Sequence, residues 1–92
     1  MILAEAEVAN AVCLSIAERK GIRPEDVRVE LVYDEDTGFS AEIFAGGREQ
    51  IWIEANLIEA ISRYMHKQYR IQTFRDDIVL RLEDEIVADV RT

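Results

Sequence analysis

The spacing of hydrophobic residues changes period along the chain, and each change marks an element. Val8, Val12 and Ile16 recur at every fourth position, with Ala9 and Cys13 beside them. That stripe predicts an amphipathic helix over about Ala4 to Lys20. Glu5 and Glu7 in its first turn and Arg19 and Lys20 in its last complement the helix dipole, and Gly21 is the stop. Beyond a turn at Pro24 and Asp26 the period falls to two. In VRVELVYD, Val27, Val29, Leu31 and Tyr33 share one face, and Arg28, Glu30 and Val32 the other. FSAEIFA continues the first face with Phe39, Ala41, Ile43 and Ala45. Gly46 and Gly47 close a second hairpin, and EQIWIE reads as a third strand with Ile51 and Ile53 facing in, Ile43 lying opposite Ile51.

A helical period returns in ANLIEAISRYMHKQYR, whose stripe is Leu57, Ile58, Ile61, Tyr64, Met65 and Tyr69. Asn56 or Glu54 marks its start, and Glu59 and Arg63 stand at the i, i+4 spacing that favours an ion pair. The tail reads as a third hairpin, with Ile78, Leu80 and Leu82 on one strand and Ile86, Ala88 and Val90 on the next. Hairpins combined with two amphipathic helices predict an α+β domain in two layers, the two helices on one face of a mainly antiparallel sheet, in the order α-β-β-β-α-β-β. Residues 1–92 are expected to form a single domain, since no repeat or linker divides them and a chain of this size buries roughly two-thirds of its unfolded surface. Where the last hairpin docks is left open by the pattern.

Charge narrows the partners. Nineteen acids against eleven bases give a formal net charge of −8, which repels polyanions and argues against nucleic acid and anionic membrane. One cysteine, Cys13, cannot form an internal disulfide. The N-terminal segment carries Glu5 and Glu7 where a signal peptide needs an uninterrupted apolar run, and no stretch approaches a membrane span. A cytoplasmic location is expected, where a free thiol persists.

The segment AERKGIRPEDVRVELVYDEDTGFSAE, with the following IEANLIEAI, resembles the YxcD-like family of small uncharacterised bacterial proteins, a domain of unknown function. The resemblance covers about Glu5 to Ile61 and, more loosely, the tail. It implies a small cytoplasmic protein of Gram-positive bacteria and transfers no functional residues. The α-β-β-β-α order is also that of double-stranded-RNA-binding domains. Those need a basic start to the second helix, and here that start carries Glu54 and Glu59.

Catalytic and metal-binding readings find little support. DEDTG, Asp34 to Gly38, has the spaced acids of a calcium loop, yet the closing carboxylate position falls on Ala45 and the flanks read as strands. It is read as the solvated tip of a hairpin, as are Glu83, Asp84 and Glu85. Cys13 lies mid-helix on the apolar stripe, where a thiol is inert, and His66 sits on the polar side of its helix. Gly46 and Gly47 join two strands, and no strand-to-helix glycine loop for phosphate is present. No catalytic residue, cofactor or metal ligand is assigned.

The second face of the sheet is more informative. Val32, Phe44, Trp52, Val79 and Val87 fall on it among Arg28, Glu30, Glu42, Glu54, Arg81 and Asp89. An open sheet face is ordinarily polar, so these five are candidate interface residues. The leading expectation is a non-enzymatic protein–protein interaction module that self-associates as a homodimer, or that binds another protein. The alternative is a small-molecule-binding or enzymatic domain with an apolar cleft between helices and sheet, near Tyr33, Tyr64 and Tyr69.

If DEDTG is only a turn, calcium or magnesium at about 1 mM, the range that weak extracellular modules bind, leaves the melting temperature nearly unchanged. A rise that Asp34→Asn with Asp36→Asn abolishes would identify a real metal site.

Overall fold

The computed structural model describes residues 1–92. A short strand, β1 (Ile2–Leu3), precedes helix α1 (Glu5–Lys20). Strands β2 (Val27–Asp34), β3 (Gly38–Ala45) and β4 (Arg48–Ile53) follow, then α2 (Glu54–Tyr64), β5 (Ile78–Leu82) and β6 (Ile86–Val90). Single 3₁₀ turns at Pro24–Asp26 and Arg75–Asp77 lead into β2 and β5, and a π-helical turn, Met65–Tyr69, extends α2. The fold is α+β and antiparallel, and its longer elements keep the expected order. The strands divide into two three-stranded sheets, β2-β3-β4 and β1-β6-β5. The domain measures 35 × 33 × 20 Å, and the last dimension is that of two packed layers.

The helices pack on each other. α1 covers β2 and β6, while α2 covers β3, β4 and β5. Val8, Val12 and Ile16 of α1, Ile43 of β3, and Leu57, Ile61 and Met65 of the second helical segment are fully buried between the layers. α1 ends as its sequence dictates: Gly21 takes the left-handed conformation (φ 65°) and its N–H donates to the Ala17 carbonyl. At α2, Asn56 Oδ1 accepts the Ile53 N–H at 3.0 Å and so supplies the N-terminal cap. The π-helical turn ends on Arg70, the one non-glycine residue with positive φ (59°).

The last hairpin docks through contacts distant in sequence. β1 pairs with β6 in the register Ile2 with Asp89 and Leu3 with Ala88. Ala4 has no side chain to cap α1, and the Glu5 N–H donates instead to Glu85 Oε2 at 2.8 Å. Glu5 Oε1 in turn accepts the Ile86 N–H at 2.8 Å. The β5–β6 turn is thus more than a solvated acidic tip, because Glu85 places a carboxylate at the positive end of α1. DEDTG is the turn it was read to be: Asp34 Oδ1 accepts the Asp36 N–H at 2.8 Å, and Gly38 has φ 80°.

Several expectations about side-chain placement are corrected. Gly46 (φ 59°) and Gly47 (φ 72°) form a two-residue turn in which Ala45 pairs with Arg48. Ile43 therefore lies opposite Gln50, not Ile51, and Ala41 lies opposite Trp52. A one-residue slip exchanges the faces of a strand, so Trp52 is in the core at 7% exposure while Ile51 and Ile53 are each 63% exposed. Val87 is buried because β6 is the central strand of its sheet, flanked by β5 and β1. Leu82, at the mouth of the last turn, is exposed.

Trp52 lies in the core cluster with the Arg19 guanidinium 5.1 Å from its ring centroid. Trp52→Ala is expected to destabilise the domain by about 3–5 kcal/mol, the usual cost of truncating a buried tryptophan. Chemical denaturation measures this. A loss within the ordinary range of surface substitutions would put the indole on the outside.

Candidate functional site

The five residues proposed as an interface do not form one patch. Val32 and Phe44 are half-exposed on the outer face of β2-β3-β4, and Trp52 is on its inner face. Val79 and Val87 belong to the other sheet, the former exposed and the latter buried. Only Val32 and Phe44 share a surface. Ile51 and Ile53 join them there, and face assignment from the sequence missed both. The signal that finds them is the Gly46-Gly47 pair: a two-residue turn puts even-numbered residues of β4 inward.

Cross-strand pairing arranges the outer face in rows. One holds Arg28, Phe44 and Glu49, the next Glu30, Glu42 and Ile51, the third Val32, Ser40 and Ile53. The Arg28 guanidinium lies 5.4 Å from the Phe44 ring centroid and pairs with Glu30 at 2.6 Å, so Phe44 is partly covered from within the chain. Ile51 and Ile53 have no such cover. They occupy one of the two edge strands of the sheet, which carries no proline and no bulge and whose charges, Arg48 and Glu49, lie at the turn end away from the two isoleucines. The alternation that joins Ala45 to Arg48 turns the backbone groups of Glu49 and Ile51 away from β3. Arg48 and Glu54, at the two ends of this edge, are exposed and make no ion pair within the chain.

The alternative site near the tyrosines takes a different form. Tyr33 packs on Phe39 at the end of the first hairpin, 4.9 Å between ring centroids, apart from the other two tyrosines. Tyr64 and Tyr69 meet edge to face at 6.0 Å, and both phenols donate to Glu7 Oε2. This knot ties α2 and its π-helical turn to the start of α1. The space between the helices, lined by Ala11, Leu14, Ala60 and others, measures about 30 Å³, room for a water or two and no more. Ser15, whose buried hydroxyl has no partner within the protein, also lines it. No apolar cleft of ligand size opens there.

Ion pairs run between the helices. Glu18 accepts from Arg63 at 3.3 Å and from Lys67, and Arg19 pairs with Glu59 at 3.1 Å. The expected Glu59–Arg63 pair does not form because each finds a partner on α1. The hydrogen bond from Lys67, with its charge, holds the Glu18 carboxyl below the usual range. Cys13 is half-buried with its thiol directed at the Pro24 carbonyl, 3.2 Å away, and burial together with Glu25 pushes its pKa up.

Comparison with known proteins agrees with the resemblance read from the sequence. The family model described as Protein of unknown function (DUF2653) matches residues 1–85. The Uncharacterized protein YxcD of Bacillus subtilis (strain 168) is 31% identical over 81 residues, covering 87% of this chain and 76% of that one. No solved structure matches. No helix is long and apolar enough to cross a membrane.

The Glu7 knot has a spectroscopic consequence. The hydrogen bond to Glu7, followed by partial desolvation, pushes the Tyr69 phenol up to about 12. Burial and then Glu7 raise Tyr64 as well. A phenol raised above its unfolded value of about 10 contributes stability that is fully present below that pH and is lost as pH climbs through the folded value. Absorbance titration is expected to show tyrosine ionisation delayed towards about pH 12, with Glu7→Gln moving it down. An unchanged titration in that variant would remove Glu7 as the cause.

Proposed function

The chain belongs to the family described as Protein of unknown function (DUF2653), and from that premise we propose that it is a non-enzymatic protein–protein interaction module that self-associates through the free edge of β4. The observation that carries this reading is Ile51 and Ile53, each 63% exposed on an edge strand with nothing of the chain over it. Apolar side chains on an unblunted edge favour a partner strand, since pairing satisfies backbone groups and covers the side chains together.

Charge selects a second copy as the occupant and sets its register. Stacking two outer faces would oppose Glu30, Glu42 and Glu49 of each copy against one Arg28 that Glu30 already holds. Side-by-side pairing of two β4 strands avoids that. With Ile51 on the two-fold axis, Arg48 of each copy lies opposite Glu54 of the other, and these are charges the monomer leaves unpaired. The pairing is short, because the Ile53 N–H is already taken by Asn56, and the backbone bonds come chiefly from the two Ile51 residues. An interface this small belongs to the weak, transient class. It fits an acidic cytoplasmic protein that assembles and separates with concentration.

Sedimentation velocity should show a monomer–dimer equilibrium with a Kd on the order of 10–100 µM. Ile51→Lys should give a monomer with the wild-type circular dichroism spectrum. Arg48→Glu should weaken the dimer, and combination with Glu54→Arg should restore it. A monomer throughout that range, or a double variant no better than Arg48→Glu, refutes this interface.

A further inference from the structure

We propose that the hollow beside the π-helical turn is a binding site for a small polar phosphate ester of the sugar-phosphate kind. The hollow has a volume of about 430 Å³ and is lined by Ser62, Arg63, His66, Lys67, Gln72 and Thr73. That volume lies in the range of small-molecule sites. The lining has no apolar side chain and no acid. In a chain with 19 acids and net charge −8, a cavity walled by three basic side chains and an amide is a local reversal of sign.

The nearby charges do not cancel it. Arg63 and Lys67 share one carboxylate, that of Glu18. The C-terminal end of α2 adds roughly half a negative charge. Two cations therefore face about one and a half negative charges, and the wall keeps a positive surplus that attracts a phosphate. Arg63 gives only one of its donor nitrogens to Glu18, and the Lys67 ammonium keeps protons free after its bond to the same carboxylate. The His66 ring and the Gln72 amide have no partner within the protein. Together these groups are nitrogen donors of the kind that recognise a tetrahedral oxyanion. The absence of apolar lining requires the rest of the ligand to be polar, hence a sugar rather than an acyl or aromatic group.

The backbone is arranged to hold this wall. Thr73, only 6% exposed, donates from its hydroxyl to Ser62 Oγ at 3.1 Å, and Ser62 donates back to the Thr73 carbonyl at 3.0 Å. This reciprocal pair pins the returning loop to α2. The reversal passes through Arg70 in the left-handed region, where its N–H reaches the His66 carbonyl at 3.1 Å and the Ile71 N–H reaches that of Met65 at 3.2 Å. A non-glycine residue held there costs energy, and such strain together with a π-turn is concentrated at ligand-binding positions.

The test uses the full chain and isothermal titration calorimetry at matched ionic strength, with glucose 6-phosphate, inorganic phosphate and glucose as probes. Glucose 6-phosphate is expected to bind with a Kd of about 1 mM or tighter. Free glucose should not bind, and phosphate should bind more weakly than the ester. His66→Gln with Gln72→Ala touches no ion pair and should weaken ester binding about tenfold with an unchanged melting temperature. Amide NMR shifts on titration should cluster at residues 62–73. No heat with the ester, equal binding in the double variant, or shifts centred elsewhere each overturns the proposal. Because β4 is untouched, Ile51→Lys should retain the ester site, so the two readings succeed or fail separately.

Discussion

Two adjacent glycines with positive φ decide which way β4 faces, and α2 inherits that choice. Gly46 and Gly47 turn the chain in two residues, so Arg48 must pair with Ala45. Every later residue of β4 then has its side fixed. Trp52 goes to the core and closes it beneath Arg19. Ile53 then falls where the chain leaves the sheet, its N–H capped by Asn56, and α2 rises over the inner face with Leu57 and Ile61 buried. A third loop residue would carry Trp52 to solvent and start α2 on the wrong side. The exposed isoleucines follow from this constraint: in IWI the side that buries the tryptophan must present both neighbours to water.

The parts of the fold that could be read from sequence are those whose information is local. α1 carries its period, its dipole-matched ends and Gly21 within one segment. β2 and β3 alternate apart from Val32 and Phe44, and DEDTG contains its own Asx turn at Asp34. β4 could not be read by alternation, because Ile51, Trp52 and Ile53 are all apolar and either parity looks acceptable. Only turn length breaks that tie. β1 is two residues with no pattern, and exists because β6 offers Ala88 and Asp89 as partners. Glu85 capping α1 is invisible for the same reason, since 80 residues separate it from Glu5. The surface read from sequence suffered accordingly: Val32 and Phe44 were placed correctly, Trp52 and Val87 were not, and Val79 lies on a different sheet.

The surplus of acid does structural work at a few positions. Glu5 and Glu85 join the last hairpin to α1, Glu7 gathers two phenols from the end of the second helical segment, and Glu18 gathers Arg63 and Lys67. Each carboxylate bridges elements far apart in sequence, as a two-layer domain of this size needs where apolar burial thins towards its margins. Exposed pairs such as Arg19–Glu59 contribute little singly. The bonds that the Glu85 and Glu5 carboxylates accept from the backbone N–H groups of Glu5 and Ile86 matter more, because they satisfy N–H groups that secondary structure leaves open.

Polar groups already engaged with one another are poor candidates for binding anything else, and that sorts the surface. The Glu7 carboxylate is spent on Tyr64 and Tyr69, and Asp34 on its own turn. Among the groups left unspent, two sets stand together. Arg48 and Glu54 bracket two bare isoleucines on an open strand, and His66 and Gln72 stand beside under-neutralised Arg63 and Lys67 around a hollow. The first combines opposite charges with apolar area, the composition of a protein interface. The second combines one sign of charge with no apolar area, the composition of a site for a small hydrated anion. Chemistry of such different kinds argues for two binding events on one small scaffold, with the shared helix α2 beginning at one site and ending at the other.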